Sequence, residues 1–381
     1  MIVLTPPLGW NTWNTFGLSI NEKLVLESAE AIVASGLRDA GYEYIVLDDG
    51  WSLPQRDENG RLVPDPQKFP RGIGPLADDL HSMGLKLGIY SCAGYMTCGG
   101  YPGSNSYEFE DAQTFADWHV DYLKYDYCYK PQHERGDQLY QRMALALANS
   151  GRDIVLSACS WGADETHNWI KSTGAHSWRS TVDIVDSWSS ICHLAKQQKA
   201  LLPYNSPGCF NDMDMLVVGM NGAGNVGLAG CTYTQYKTHF SLWAFLGSPL
   251  MIGCDIRNMS EETAHILMNK KLLAINQDRA YRQPFSVGGS HNFACGDTED
   301  SFIWAKIMEN GDLAIGFFNL SDSSRNMYFT LADLALPRFC DRKLELTDLW
   351  SGEVRQTVDG RFMVKVEGCD CHVYRAKLIK A

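Results

Sequence analysis

Two residues apart in Tyr122-Leu123-Lys124-Tyr125-Asp126-Tyr127-Cys128 stand a lysine and an aspartate. The run is rich in β-formers, and side chains alternate along a strand, so Lys124 and Asp126 face one way while Leu123 and Tyr125 face the other. A cation beside a carboxylate favours the charged form of the acid, which is what a nucleophile requires. A lone K-x-D pair is equally the make-up of a surface ion pair of little consequence. Which of the two it is depends on the other side chains that share its address.

Strand-like and helical runs alternate many times before residue 280, the pattern of parallel βα units. Strands are expected at 7–13, 44–47, 85–90, 122–125, 154–158, 177–182, around 209–215 and at 249–252. Helices are expected at 22–37, with Asn21 as N-cap and Val25, Ala29, Ile32 and Val33 on one face, and at 111–119 and 138–149. About eight such units suit a (β/α)8 barrel better than an open doubly wound sheet. After Pro284 the texture changes to short alternating runs at 302–306, 313–318, 327–329 and 362–366, separated by turn-rich pieces. These read as a small antiparallel β-sandwich. The expected division is a catalytic barrel over 1–283 and a β-sandwich over 284–381.

The 381 residues carry a formal net charge of -12, which argues against nucleic acid or an anionic membrane surface as partner. No stretch approaches the roughly 18 apolar residues of a membrane span. The opening Met1-Ile2-Val3-Leu4-Thr5-Pro6-Pro7 shows no basic n-region, apolar core or cleavage site, so a cytoplasmic location is expected. The twelve cysteines are scattered without zinc spacing, and Cys369-x-Cys371 has no second half. No metal and no organic cofactor is expected.

Active sites of such barrels lie at the C-terminal ends of the strands. The residues falling there are Trp10, Asp48, Asp49, Trp51, Tyr90, Cys98, Lys124, Asp126, Ser160, Trp161, Arg179, Asp183 and Asp214. Carboxylates and aromatics converging on one mouth suggest a sugar, since carboxylates chelate vicinal hydroxyls and aromatic faces cover the apolar side of a pyranose. Retaining glycoside hydrolysis needs two acids, one ionised nucleophile and one protonated acid/base. Asp126 has its cation. Asp183, in Trp178-Arg179-Ser180-Thr181-Val182-Asp183-Ile184-Val185-Asp186-Ser187-Trp188, has the more apolar local setting that would raise its pKa, with Arg179 expected to contact the sugar and the nucleophile instead. Asp186 is the rival acid.

Eight motifs occur in order: PPLGWNTWN, LDDGW, KLGIY, TCGGYPGS, DAQTFADW, YLKYD, WRSTVDIVDSW and NDMDMLVVG. From about residue 5 to 280 the chain resembles the retaining α-galactosidases and α-N-acetylgalactosaminidases, with a weaker likeness beyond. The resemblance implies a (β/α)8 barrel with a C-terminal antiparallel β domain and no cofactor. It makes Asp126 the nucleophile and Asp183 the acid/base. Asp48 and Asp49 would bind the galactose 4- and 6-hydroxyls and Lys124 the 3- and 4-hydroxyls, with Tyr90, Arg179, Asp214, Trp10 and Cys98 completing the pocket. A terminal α-galactoside, small or oligosaccharide, is the implied substrate, and relatives occur as monomers, dimers and tetramers, so a homo-oligomer is compatible with it. Secreted relatives link the positions of Cys98 and Cys128 by a disulfide, but without a signal peptide free thiols are expected here.

Ser160 departs from the larger residue that many galactosidases carry to reach the 2-hydroxyl, and Ser160 with Ala163 matches the α-N-acetylgalactosaminidases. Gly162 and Asp164 depart from the proline and tyrosine of the latter enzymes, and Asp164 or His167 could fill the space that Ser160 leaves. The alternatives to an α-galactosidase are therefore an α-N-acetylgalactosaminidase or a β-L-arabinopyranosidase and, from another class, a silent galactoside-binding lectin, which would have no need of both acids. Gly222-Ala223-Gly224-Asn225-Val226-Gly227 spells a dinucleotide fingerprint but lacks the acidic residue about twenty positions on, and reads as a βα loop.

Overall fold

The computed structural model describes residues 3–288, 299–336 and 341–380. The elements of the first part are β1 (Leu8–Asn11), the turn α1 (Trp13–Phe16), α2 (Glu22–Ser35), β2 (Tyr44–Val46), α3 (Ile73–Ser82), β3 (Lys86–Cys92), α4 (Glu108–Asp117), β4 (Tyr122–Asp126), α5 (Gly136–Asn149) and β5 (Val155–Cys159). There follow β6 (Ser177–Arg179), β7 (Asp186–Ser187), α6 (Trp188–Leu201), β8 (Phe210–Asp212), β9 (Gly227–Gly230), α7 (Tyr233–Leu246), β10 (Leu250–Ile252), α8 (Glu261–Leu267) and α9 (Lys270–Asn276). Eight strands form one parallel sheet in the order β10-β1-β2-β3-β4-β5-β6-β8. The ends meet through Leu216, just beyond β8, whose N–H donates to the Met251 carbonyl at 2.7 Å and whose carbonyl accepts from Gly253 at 2.9 Å. The sheet is thereby curled into a (β/α)8 barrel.

Strand parity decides what reaches the barrel mouth. In β4, Leu123 and Tyr125 are fully buried against the helical layer, where Tyr125 meets Tyr140 of α5 edge-on at 5.8 Å, and Lys124 and Asp126 point into the barrel. The helices begin where local chemistry says they should: Asn21 accepts from the Leu24 N–H at 2.9 Å to open α2, and the Thr232–Gln235 capping box opens α7.

The C-terminal part is all β. Strands β11 (Phe285–Ser286), β12 (Ser301–Ile307), β13 (Leu313–Asn319), β14 (Arg325–Thr330), β15 (Arg342–Asp348), β16 (Val354–Gln356), β17 (Arg361–Val366) and β18 (Asp370–Lys380) make a six-stranded antiparallel sheet, β11-β12-β13-β18-β15-β16, faced by the two-stranded antiparallel sheet β14–β17. Alternate residues serve two cores. Ile303, Ile315, Phe317, Leu346 and Tyr374 pack against Met327, Phe329, Phe362 and Val364 of the two-stranded sheet, whereas Phe302, Trp304, Phe318 and Val373 join the barrel core. At roughly 1.5 to 3 kcal/mol for each large apolar side chain buried, those four residues alone make the barrel contact substantial. Helix α7 lies in that contact. Phe245 meets Phe318 edge-on at 5.7 Å, and the Thr238 hydroxyl donates to the Cys369 carbonyl at 3.0 Å.

Candidate active site

A cleft opens at the C-terminal ends of the barrel strands, where such barrels carry their sites. Nine of the residues expected from the sequence line it: Asp48, Tyr90, Cys98, Lys124, Asp126, Trp161, Arg179, Asp183 and Asp214. Asp126, only 6% exposed, accepts from the Tyr90 hydroxyl at 2.8 Å and from the Tyr127 N–H at 2.7 Å. Burial pushes its carboxyl up to about 6, although Lys124 and both hydrogen bonds pull the other way. Lys124 donates to Asp48 at 2.7 Å, and Asp48 also accepts from the Asn11 amide at 2.8 Å. A carboxylate, an ammonium group and a second carboxylate thus stand together where β2 runs out and β4 ends.

Asp183 comes from the segment between β6 and β7, with 67% of its side chain exposed. Arg179 holds it at 2.9 Å and reaches Asp214 at 2.9 Å with its other amino group. Asp214, at φ 77°, accepts from the Ile184 N–H at 2.7 Å and so fixes the segment that carries Asp183. The expected electrostatics of Asp183 are reversed by this geometry. Burial favours its neutral form, but the Arg179 charge and hydrogen bond, with Lys124, outweigh it and hold the carboxyl below the ordinary range. Arg179 therefore contacts Asp183 itself, whereas the sequence reading places it on the sugar and Asp126.

Four of the residues expected at the strand ends do not border the cleft. Trp51 is buried, its indole N–H donating to the Tyr90 carbonyl at 2.9 Å. Trp10 is fully buried and its indole N–H donates to the Cys254 carbonyl at 2.9 Å. Strand parity turns Asn11 inward and Trp10 outward, and it is Trp13, with its N–H held by Asn11 Oδ1 at 2.8 Å, that lines the cleft. The repeat of tryptophan in Gly9-Trp10-Asn11-Thr12-Trp13 contained that signal. Asp49 spends its oxygens on the protein, accepting from the Gly50 N–H (2.8 Å), the Thr97 hydroxyl (3.0 Å) and the Gly99 N–H (2.7 Å). It anchors the loop that carries Cys98. Ser160 is fully buried, its hydroxyl 2.6 Å from that of Thr166, and the adjacent Trp161, at φ 57°, presents its side chain to the cleft instead.

Neither Asp164 nor His167 fills the place expected for it. Asp164 accepts from the Tyr127 hydroxyl at 2.7 Å and pairs with Lys130 at 3.4 Å, and His167 packs on Tyr204. The rival acid Asp186 is fully buried, bonded to the Tyr236 hydroxyl at 2.9 Å and the Gly222 N–H at 2.7 Å, and borders no part of the cleft. That N–H belongs to the glycine-rich Gly222–Gly227 loop, which packs on Asn14 and Thr15 and contributes Val226 to the wall. Asn14, Ile184, Met215 and Val226 line the cleft without having been singled out from the sequence; each is adjacent to or inside a quoted motif.

Cys98 and Cys128 are joined by a disulfide, with Cα atoms 5.5 Å apart, which corrects the expectation of free thiols. The bridge ties the loop after β3 to the end of β4, two positions beyond Asp126. Cys295 and Cys340 lie outside the described residues, and the remaining eight cysteines are free.

Residues 5–278 match the family model described as alpha galactosidase A, and residues 298–376 the one described as alpha galactosidase C-terminal beta sandwich domain. Alpha-galactosidase 3 of Arabidopsis thaliana is 41% identical over 375 residues, spanning 97% of this chain and 81% of the relative. Among solved structures, alpha-galactosidase I from Mortierella vinacea aligns with a TM-score of 0.87 at 34% identity, covering 98% of this chain and 97% of that one. The alpha-galactosidase from Saccharomyces cerevisiae solved with raffinose aligns at 0.86 and 30% identity, covering 99% and 98%. The chain belongs to the α-galactosidase family of retaining glycoside hydrolases.

Proposed function

We propose that Asp126 is the nucleophile and Asp183 the acid/base with which this glycoside hydrolase releases terminal, non-reducing α-D-galactosyl residues. In the first displacement Asp126 bonds to the anomeric carbon while the C1–O bond breaks and the aglycone oxygen takes the proton of Asp183. In the second, Asp183 removes a proton from water as its oxygen attacks C1 and frees Asp126. The observation that carries the assignment is the contrast between the two acids in one cleft. Asp126 is buried, rigidly held by Tyr90 and Tyr127 and close to Lys124, whereas Asp183 stands exposed where a leaving group and water can reach it.

The acid role asks Asp183 to carry a proton, which Arg179 opposes. A bound sugar changes both influences in the required direction, covering Asp183 from water and offering hydroxyls to the donors of Arg179. Lys124 and Asp48 are placed to hold adjacent hydroxyls of the same ring. We infer that oligosaccharide α-galactosides are the substrate class, on the strength of the raffinose bound by the yeast relative. The Ser160–Ala163 pattern lends the N-acetylgalactosaminide alternative no support, because neither residue borders the cleft.

Treatment with 5-fluoro-galactosyl fluoride, which slows the second displacement, followed by peptide mass spectrometry should find the sugar on Asp126. A label on any other residue removes Asp126 from the role.

A further inference from the structure

Two exposed aromatic residues stand on the loops that the Cys98–Cys128 disulfide joins beside the cleft. Tyr95 and Tyr129 are each 58% exposed, and the Tyr95 N–H donates to the Tyr129 carbonyl at 3.3 Å, so their backbones are tied together. Their base is rigid. A Cβ on Gly94 would run into the carbonyl oxygen of Cys128, which shows how closely the two loops press together, and the Cys98–Cys128 disulfide fastens the same two loops. Tyr129 is also held at φ 47°, a left-handed conformation that a non-glycine residue adopts at a cost. Strain and a cross-link are thus spent on fixing two rings that pack into no core.

Their address supplies the reason. Tyr129 directly follows Cys128 and lies three positions beyond Asp126, while Cys98, the other half of the disulfide, lines the cleft. The carboxylates and cations inside the cleft are arranged for one sugar ring, so the unit attached to it must lie outside, against the rim. A pyranose or furanose presents a C–H face that stacks on an aromatic ring, and a ring that is already immobile loses little freedom when the sugar lands on it.

We propose that Tyr95 and Tyr129 form an aglycone platform, stacking the neutral sugar unit linked to the galactosyl residue of an oligosaccharide substrate. The proposal rests on the reading of the cleft as the galactosyl site. The test compares raffinose, which has a sugar aglycone, with α-galactosyl fluoride, which has none. In the Tyr95→Ala/Tyr129→Ala double variant kcat/KM for raffinose should fall about tenfold, mainly through KM, with α-galactosyl fluoride changed by less than about twofold. Tyr95→Phe/Tyr129→Phe, which keeps the rings, should restore raffinose turnover. Equal losses on both substrates, an unchanged raffinose rate, or a wild-type enzyme that cleaves the fluoride without saturable turnover of raffinose would each overturn the platform. A wild-type enzyme inert to the fluoride would instead sink the galactosidase reading on which it rests.

Discussion

Replacing Asp126 by asparagine should abolish turnover and make the protein more stable at neutral pH. Burial lifts this carboxyl from its ordinary 3.8 to about 6, so the folded chain binds the proton more tightly than the unfolded one. Stability is then lost as pH rises between those two values and stays lost above them. The gap of 6 minus 3.8, at roughly 1.4 kcal/mol per pH unit, comes to about 3 kcal/mol at pH 7 and about 0.5 kcal/mol at pH 4. The amide can keep both partners, accepting from the Tyr127 N–H and donating to the Tyr90 oxygen, so little is lost in exchange. Thermal unfolding of wild type and Asp126→Asn at the two pH values is the assay. A Tm gain on the order of 6 °C at pH 7 that nearly vanishes at pH 4 is the expected result. A gain that is absent, or the same at both pH values, would refute the idea that this charge is held at a net cost.

The same directions fix the pH dependence of catalysis. With Asp126 raised to about 6 and Asp183 held below 3.8, only the singly protonated pair is competent, so kcat/KM for p-nitrophenyl α-galactoside should be bell-shaped with its alkaline limb near 6. Tyr90→Phe removes one hydrogen bond from the ionised Asp126 and should move that limb up by about one unit; an alkaline limb above pH 7.5 in the wild type would contradict both statements. Reducing the Cys98–Cys128 disulfide with dithiothreitol should raise KM for α-galactosides, because Thr97 and Gly99, on either side of Cys98, hold Asp49 beside Asp48. A KM unaffected by full reduction, verified by thiol counting, would show that the loop needs no cross-link.

The barrel was legible in the sequence because its strands are bounded by turns and its outer helices have one wet face. Helix α2 is the clear case, with Asn21 capping it and Val25, Ala29 and Ile32 buried together. Helix α7 escaped periodicity because the C-terminal sheet covers it: ten consecutive or near-consecutive residues from Tyr236 to Leu246 are buried, so no polar stripe remains to reveal it. The site followed the same division. Lys124 and Asp126 were visible from strand parity alone, and parity in β1 turns Asn11 inward and Trp10 away, but Trp13 reaches the cleft through the turn α1 that follows the strand, which parity does not govern. The ion pair of Arg179 with Asp183 and the occupation of Asp49 by Thr97 and Gly99 were not visible, since both depend on where loops from separate strands come to rest.

Among the described residues that line the cleft, Asp48, Asp126, Asp183 and Asp214 face only two cations, Lys124 and Arg179. Each cation is already shared, Lys124 bonded to Asp48 and near Asp126, Arg179 bridging Asp183 and Asp214. The cleft therefore holds two more negative charges than positive ones before any proton is bound. An imbalance of that sign has two consequences for the proposed chemistry. It favours a positively charged, oxocarbenium-like transition state over a neutral ground state, which is the differential binding that accelerates the reaction. It also favours uptake of one proton, which burial directs to Asp126 and which must come to stand on Asp183, the most exposed of the four, for the acid step. A buried nucleophile beside Lys124 and an exposed acid tethered by Arg179 are thus two outcomes of one arrangement, in which each strand end supplies a charge and the loops decide how much water it keeps.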